Sequence, residues 1–208
     1  MAAIKTLLFA GGEIHDYKGC ADEIEPALEA DGSFDLKRVE EDLSVLEELD
    51  PYELIVFYYT VGEITDSQRD GLSNFIREGK GFVGIHSAAD SFRDDPAFRS
   101  MIGGHFVTHP HFREYQVSVL DPEHPITRDL DEFMVEDEQY ITDYDPRVNT
   151  LCTALYQGRA YPVAWTKDWG EGKIFYLALG HNPEACKHDK FQLLLVRGAK
   201  WAAGRGTE

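Results

Sequence analysis

Strand-like apolar runs alternate with helix-like segments through the first half of the 208-residue chain. Nearly continuous apolar runs, as expected of strands buried on both faces, occur at 6–10, 54–59 and 81–85. Segment 20–30 follows the first run with apolar residues at helical spacing. Thr65 and Gln68 form a capping-box pair that begins a helix after the second run. This order predicts a parallel sheet with helices on both faces.

The second half of the chain has shorter segments that are typical of antiparallel strands. Residues 115–119 alternate between apolar and polar, and two apolar segments, 162–165 and 173–179, flank the turn-forming segment 168–172. There is no internal repeat or linker, so one domain is predicted over residues 1–208. Its predicted fold class is α/β, with three layers, a mostly parallel sheet flanked by helices and a late β-hairpin.

The charge balance argues against nucleic acids and anionic membranes as partners. The 20 Lys and Arg residues are outnumbered by 38 Asp and Glu residues, which gives a formal net charge of −18. Phosphate backbones and anionic membranes repel such a surface, so neither nucleic acid nor membrane is expected as a partner. The N-terminal apolar run is too short for a signal-peptide core. Cys20, Cys152 and Cys186 lack CxxC spacing and are expected to be reduced thiols, which favours a cytoplasmic location.

Histidines follow three predicted strands that lie far apart in the sequence. His15 follows the first run, His86 the third, and His181 the late strand. Ligands of open parallel sheets bind beyond the carboxyl ends of the strands, and imidazole suits proton transfer near neutral pH. We therefore predict that His86 and His181 are catalytic, and that His15, Asp16 and Ser87 bind substrate. Asp16 has the alternative role of a helix cap.

The segment Gly-Ile-His-Ser-Ala at 84–88 resembles a nucleophile elbow, the sharp turn that exposes one side chain above a sheet. In class I glutamine amidotransferases the elbow residue is a cysteine, and its histidine and glutamate partners come from a late His-Pro-Glu motif. This chain has His86 at the elbow and His181 in a related late segment. Without a thiol at the elbow, the chain is predicted not to be a glutamine amidotransferase.

A series of short motifs resembles, in order, those of the ThuA-like (trehalose-utilisation) family. The motifs lie at 11–16, 84–88, 103–106, 109–110, 124–127, 137–140, 162–165 and 180–181. They span about residues 6 to 182. The resemblance implies a flavodoxin-like, class I glutamine amidotransferase-like fold. It also implies a link to carbohydrate metabolism, including the catabolism of oxidised (keto) disaccharides.

Three more histidines invite a metal hypothesis, because neutral imidazole is a common zinc ligand. His105, His109 and His111 are candidate ligands of a divalent metal, Zn or Mn. Pro110 argues against a helical arrangement of this segment. The alternative is a loop near the crevice in which His105 and His109 bind substrate.

Three residues of later segments complete the predicted substrate site. Alternation places Glu138 and Tyr140 on one face of their segment, and both are predicted to bind substrate. The alternative for Glu138 is a solvated residue in an acidic run. Trp165 is predicted to stack on a sugar ring, with a core position as its alternative.

The leading functional hypothesis is an enzyme that processes a disaccharide or keto-sugar derivative by histidine-based acid–base chemistry. Two alternatives remain open at this point. One is a non-catalytic sugar-binding or regulatory module on an amidotransferase-like scaffold, and the other is a metal-dependent hydrolase. The expected partner is a small carbohydrate, and the fold class suggests a homodimer.

Overall fold

Helices cover both faces of a large mixed sheet in the computed structural model, which describes residues 2–207. The strands are β1 Ile4–Gly12, β2 Phe34–Glu40, β3 Leu54–Thr60, β4 Gly81–Ile85, β5 Gly104–Thr108, β6 Arg113–Val119, β7 Phe133–Asp137, β8 Ile141–Tyr144, β9 Asn149–Tyr156, β10 Arg159–Trp169 and β11 Gly172–Leu177. The α-helices are α1 Tyr17–Asp31, α2 Asp66–Arg77, α3 Pro96–Ile102, α4 Pro183–Cys186 and α5 Asp189–Ala202. Two 3₁₀ helices lie at Leu43–Glu47 and His86–Asp90.

The main sheet has a parallel half and an antiparallel half. Over residues 2–207 its nine strands run in the order β2-β1-β3-β4-β11-β10-β9-β6-β7, while β5 and β8 pair separately. Neighbours from β2 to β11 are parallel, and those from β11 to β7 are antiparallel. The alternation of strands and helices in the sequence predicted the parallel half. Because β1 connects to β2 on one side and pairs with β3 on the other, a crevice opens at its carboxyl end.

The two faces of the sheet carry separate apolar clusters. Leu8 and Ala10 of β1 face the cluster that includes residues of α1 and α5, whereas Leu7 and Phe9 face the cluster of α2 and α3. All four side chains are fully buried. Full burial of a large apolar side chain stabilises by about 1.5–3 kcal/mol relative to exposure. Strand β1, which precedes the loop of His15, is therefore firmly anchored.

Side-chain caps fix where the helices begin. Thr65 and Gln68 form the predicted capping box of α2, and Asp95 caps α3. Helix α1 begins at Tyr17, earlier than the predicted segment 20–30, because Asp16 accepts a hydrogen bond from the Gly19 backbone N–H. Asp16 is exposed and has the role of helix cap, the alternative to substrate binding.

Trp165 is a core residue, and the structure corrects its predicted role in stacking on a sugar. Its side chain is fully buried, and its ring stacks on Tyr176 with centroids 4.1 Å apart. The indole Nε1–H donates to the Ile102 carbonyl at 2.9 Å. With both faces and the polar edge occupied by protein, the ring offers no surface to a ligand.

The cysteines are free and buried, in agreement with the expectation of reduced thiols. Burial raises the pKa of the Cys152 thiol to about 12, which makes it a poor nucleophile. Among the described residues, none of the helices combines the length and the apolar character needed to cross a membrane.

Candidate active site

Four ionisable side chains converge at the carboxyl edge of the parallel strands. His15 follows β1, His86 follows β4, His181 lies beyond β11, and Glu138 follows β7. The three imidazole centroids form a triangle with sides of 5.0, 5.1 and 5.4 Å. Glu138 closes the group, because its Oε2 lies 3.1 Å from His181 Nδ1 and 3.5 Å from His86 Nε2. The convergence predicted for the three histidines is present.

His86 occupies a strained turn between strand and helix. Its φ is 42°, in the left-handed region that costs energy for a residue with a side chain. Two hydrogen bonds hold the turn, one with Tyr176 of β11 and one with Ala178 just after that strand. Tyr176 Oη donates to the His86 carbonyl at 2.6 Å, and His86 Nδ1 lies 2.7 Å from the Ala178 carbonyl. Because a carbonyl only accepts, Nδ1 carries a hydrogen, and Nε2 is the ring nitrogen directed into the group.

The loop that carries His15 is held against the end of β3. His15 Nδ1 lies 2.9 Å from Thr60 Oγ1. Gly12, at φ 88°, lets the chain pass so close to β3 that a Cβ there would lie 2.2 Å from the Thr60 carbonyl oxygen. No other residue fits without displacing this loop. The close approach therefore sets the position of His15.

Asp137 connects Glu138 to the loop of His181. One carboxylate oxygen accepts from the backbone N–H groups of Glu138 at 2.7 Å and His181 at 3.1 Å. The other accepts from the N–H of Gly180 at 2.7 Å. Burial raises the pKa of Asp137, although His86 and the three N–H groups oppose that rise. The side chain is fully buried and acts as a clamp between two segments of the site.

Burial and mutual proximity shift the pKa values within the group. Burial, followed by the neighbouring imidazoles of His86 and His181, lowers the pKa of His15 from 6.5 to about 3. Burial raises the pKa of Glu138, but His181 and His86 lower it more, so the group is a carboxylate at neutral pH. Burial lowers the pKa of His181, yet the adjacent Glu138 carboxylate raises it above its ordinary value.

The atoms that face one another are those that could hold a metal ion. One ligand-type atom from each of His15, His86, Glu138 and His181 lies within 4.8 Å of the others. Among the described residues, His15 Nε2 and His86 Nε2 are buried without a hydrogen-bond partner, and His181 Nδ1 is buried with Glu138 Oε2 3.1 Å away. Three imidazole nitrogens and one carboxylate oxygen are a common ligand set for first-row transition metals.

A family model described as trehalose utilisation, ThuA, matches residues 5–202. The chain belongs to the ThuA family. It is similar to a ThuA-like protein from Parabacteroides merdae, at 25% identity and a TM-score of 0.90, with 99% of this chain and 92% of that chain covered. No curated protein matches the chain significantly.

Two further solved structures are similar in fold alone. One is a ThuA-like protein from Bacteroides uniformis, at 22% identity and a TM-score of 0.79, with 99% of this chain and 96% of that chain covered. The other is a cytoplasmic protein from Salmonella typhimurium LT2, at 13% identity and a TM-score of 0.72, with 95% and 99% covered.

The three histidines first considered as metal ligands in this ThuA-family chain lie outside the group of four. His105 lies in β5 opposite Asp143, and His111 is exposed in the turn before β6. His109 touches the group from outside, with its Nδ1 3.0 Å from Glu138 Oε1 and its side chain 42% exposed. Pro110 excludes a helix here, and the histidines that converge instead come from other loops.

Tyr140 and Ser87, both predicted to bind substrate, are buried beside His86. The ring of Tyr140 packs on the His86 imidazole with centroids 4.0 Å apart. Ser87 is fully buried, and its Oγ has no hydrogen-bond partner among the described residues. Tyr140 therefore supports His86, and the burial of both side chains keeps them from the open side of the site.

The sequence analysis did not single out Thr60, Tyr176 or Phe112. Thr60 ends β3, so the rule that placed histidines at strand ends would also have found it. Tyr176 lies within a buried strand and carries no such signal. Phe112 is 42% exposed and its ring lies 5.8 Å from that of His181, in a turn without regular periodicity.

Acid should destabilise the metal-free protein through His15. Because its pKa falls from 6.5 to about 3 on folding, only the unfolded chain is protonated at His15 between these values. The free energy of unfolding should therefore fall by up to about 1.4 kcal/mol for each pH unit below 6.5. His181 acts in the opposite sense, because its raised pKa adds stability that is full below 6.5 and is lost at higher pH.

Urea denaturation in EDTA between pH 6.5 and 5 measures this effect. His15→Gln should flatten the pH dependence by about 1 kcal/mol per pH unit relative to wild type. His188→Asn is the matched control, because His188 caps α5 away from the group and asparagine is also a good cap. Parallel pH profiles for wild type and His15→Gln would contradict the prediction.

Proposed function

We propose that this ThuA-family chain is an enzyme that converts an uncharged carbohydrate, such as a disaccharide or its keto derivative, in sugar utilisation. The observation that carries the proposal is the convergence of His15, His86, Glu138 and His181 at the carboxyl edge of the sheet. A module that only binds hydroxyl groups does not require four ionisable groups within one small volume. Shifted pKa values in a cleft are characteristic of catalytic sites.

The group contains both partners needed for proton transfer. Glu138 is held as a carboxylate, and its Oε1 lies 3.0 Å from His109 Nδ1. His109 lies on the opposite side of the same carboxylate and is open to solvent. In a keto sugar the carbonyl group acidifies the neighbouring C–H, so a base and an acid placed together suit proton abstraction beside the carbonyl.

Charge favours a substrate without phosphate. The formal net charge of the chain is −18. Such an acidic chain repels a phosphorylated sugar as it approaches, whereas hydroxyl and carbonyl groups suit imidazole donors and acceptors. The family description, trehalose utilisation, agrees with a neutral sugar.

Calorimetry followed by product analysis tests the proposal. Trehalose, sucrose and their keto forms are titrated into the protein, and each mixture is then examined by NMR for new products. We expect at least one of the keto forms to bind and to be converted, and His181→Ala to abolish the conversion. His188→Asn should convert the sugar at the wild-type rate. Binding without any product would support a sugar-binding module and overturn the enzymatic proposal.

A further inference from the structure

We infer that His15 Nε2, His86 Nε2, His181 Nδ1 and Glu138 Oε2 together bind one divalent first-row transition-metal ion. The inference deepens the proposed function, on which it rests, by naming the group through which the same pocket acts. It also replaces the ligand set suggested by the sequence, because His105 and His111 lie outside the group of four.

Unpartnered nitrogens are the first argument. The ligand-type nitrogens of His15 and His86 are buried without a hydrogen-bond partner among the described residues, and the His86 side chain is entirely inaccessible to solvent. Each buried polar atom left unpaired costs about 1–3 kcal/mol. Two such nitrogens, beside the pair formed by His181 Nδ1 and Glu138 Oε2, are explained if a cation among the four atoms accepts their lone pairs.

The outer contacts are the second argument. A histidine that binds a metal usually donates its other ring N–H to a protein oxygen, which fixes the tautomer. His86 Nδ1 is bound to the Ala178 carbonyl, and His15 Nδ1 faces Thr60 Oγ1. In both residues an oxygen lies within hydrogen-bond distance of Nδ1, so Nε2 is the ring nitrogen directed into the group. Asp137 accepts hydrogen bonds from the backbone N–H groups of Glu138 and His181, which fixes the segments that carry these two ligands.

The spacing of the ligand atoms is the third argument. Zinc binds imidazole nitrogen at about 2.0–2.1 Å, so neighbouring ligands of a tetrahedral ion lie about 3.3 Å apart. Glu138 Oε2 lies 3.1 Å from His181 Nδ1 and 3.5 Å from His86 Nε2. All four atoms lie within 4.8 Å of one another, so small side-chain movements complete the site.

The ligand chemistry selects the class of ion. Magnesium and calcium prefer sites made of oxygen, whereas imidazole suits zinc, iron, nickel and copper, and a carboxylate extends the range to manganese. The site is open on one side, because the His181 side chain is 28% exposed while that of His86 is fully buried. An ion held there would polarise a sugar carbonyl or hydroxyl group that reaches it from solvent.

Metal binding is tested without any sugar. Protein dialysed against EDTA is titrated with Zn²⁺ and with Mn²⁺ by calorimetry, and the bound ion is counted by elemental analysis. We expect one ion per chain. His181→Ala should lower the affinity at least about a hundred-fold, because even the loss of an outer-shell partner costs 10–100-fold. His111→Ala should bind the ion as wild type does.

A second measurement uses the wild-type protein, so its outcome does not depend on whether a variant folds. The Co²⁺-loaded protein is examined by X-ray absorption, and scattering from three imidazoles is expected around the ion. Substoichiometric binding, a shell without imidazole, or equal losses in His181→Ala and His111→Ala would overturn the inference. Sugar conversion by the metal-free protein at the wild-type rate would also overturn it, while the proposed function would stand. An ion bound as expected, with no sugar converted, would uphold the metal site and refute the proposed function.

Discussion

Replacing His86 with asparagine should lower the rate of sugar conversion at least about a hundred-fold while the protein remains folded. General acid–base groups contribute about 10²–10⁴ to rate, and the loss of a metal ligand has an effect of at least that size. Asparagine is chosen because its conformational range includes the left-handed region, so it tolerates the φ of 42° found at this turn. Its side-chain N–H₂ can also replace Nδ1–H as the donor to the Ala178 carbonyl.

The His86→Asn substitution removes Nε2 and the packing of the imidazole ring on Tyr140. The side-chain amide also brings an oxygen into a fully buried position, where an unpaired acceptor costs about 1–3 kcal/mol. We therefore expect the free energy of unfolding to fall by about 1–3 kcal/mol, or roughly 2–12 °C in Tm. His188→Asn is the matched control and should keep both activity and Tm. A His86→Asn variant that converts sugar at the wild-type rate would exclude His86 from the chemistry.

The sequence predicted the histidine triangle because it depends on strand ends, which are visible as boundaries between apolar and polar residues. His15, His86 and His181 each follow a buried run, and parallel strands bring such ends to one edge. The capping box at Thr65 and Gln68 was predictable for a similar reason, since its two bonds are local.

Features that depend on long-range packing were harder to predict. The edge strand β2 has one well-buried apolar residue, Phe34, and alternates weakly, so it lacks the apolar run that revealed β1. Glu138 was predicted to bind substrate, but its placement among three histidines depends on β7 joining the far edge of the sheet. Trp165 carries the same signal whether it stacks on a ligand or on Tyr176, and only tertiary packing distinguishes the two.

Replacing Asp137 with asparagine should destabilise the protein by about 3 kcal/mol, or roughly 6–12 °C in Tm. The two carboxylate oxygens accept three backbone N–H groups, so both must be acceptors. Asparagine has one acceptor oxygen. If that oxygen accepts from the backbone N–H groups of Glu138 and His181, the side-chain N–H₂ faces the N–H of Gly180. In the opposite orientation, the side-chain N–H₂ faces the N–H groups of Glu138 and His181. Either orientation buries an unpaired donor.

The Asp137→Asn substitution also tests whether Asp137 positions the ligands without taking part in the chemistry. Asp137 touches the backbone of Glu138 and His181 and none of their ligand-type atoms, so it is a positioning residue. Loss of the clamp should weaken metal binding about 10–100-fold, as expected of an outer-shell partner, and should lower activity in proportion. Glu136→Gln, at an exposed position of the same strand, should change stability by no more than about 0.5 kcal/mol. Both variants are examined by denaturation and by metal titration. If Asp137→Asn were as stable as Glu136→Gln, asparagine would satisfy all three N–H groups. If its metal affinity were unchanged, Asp137 would not position the ligands.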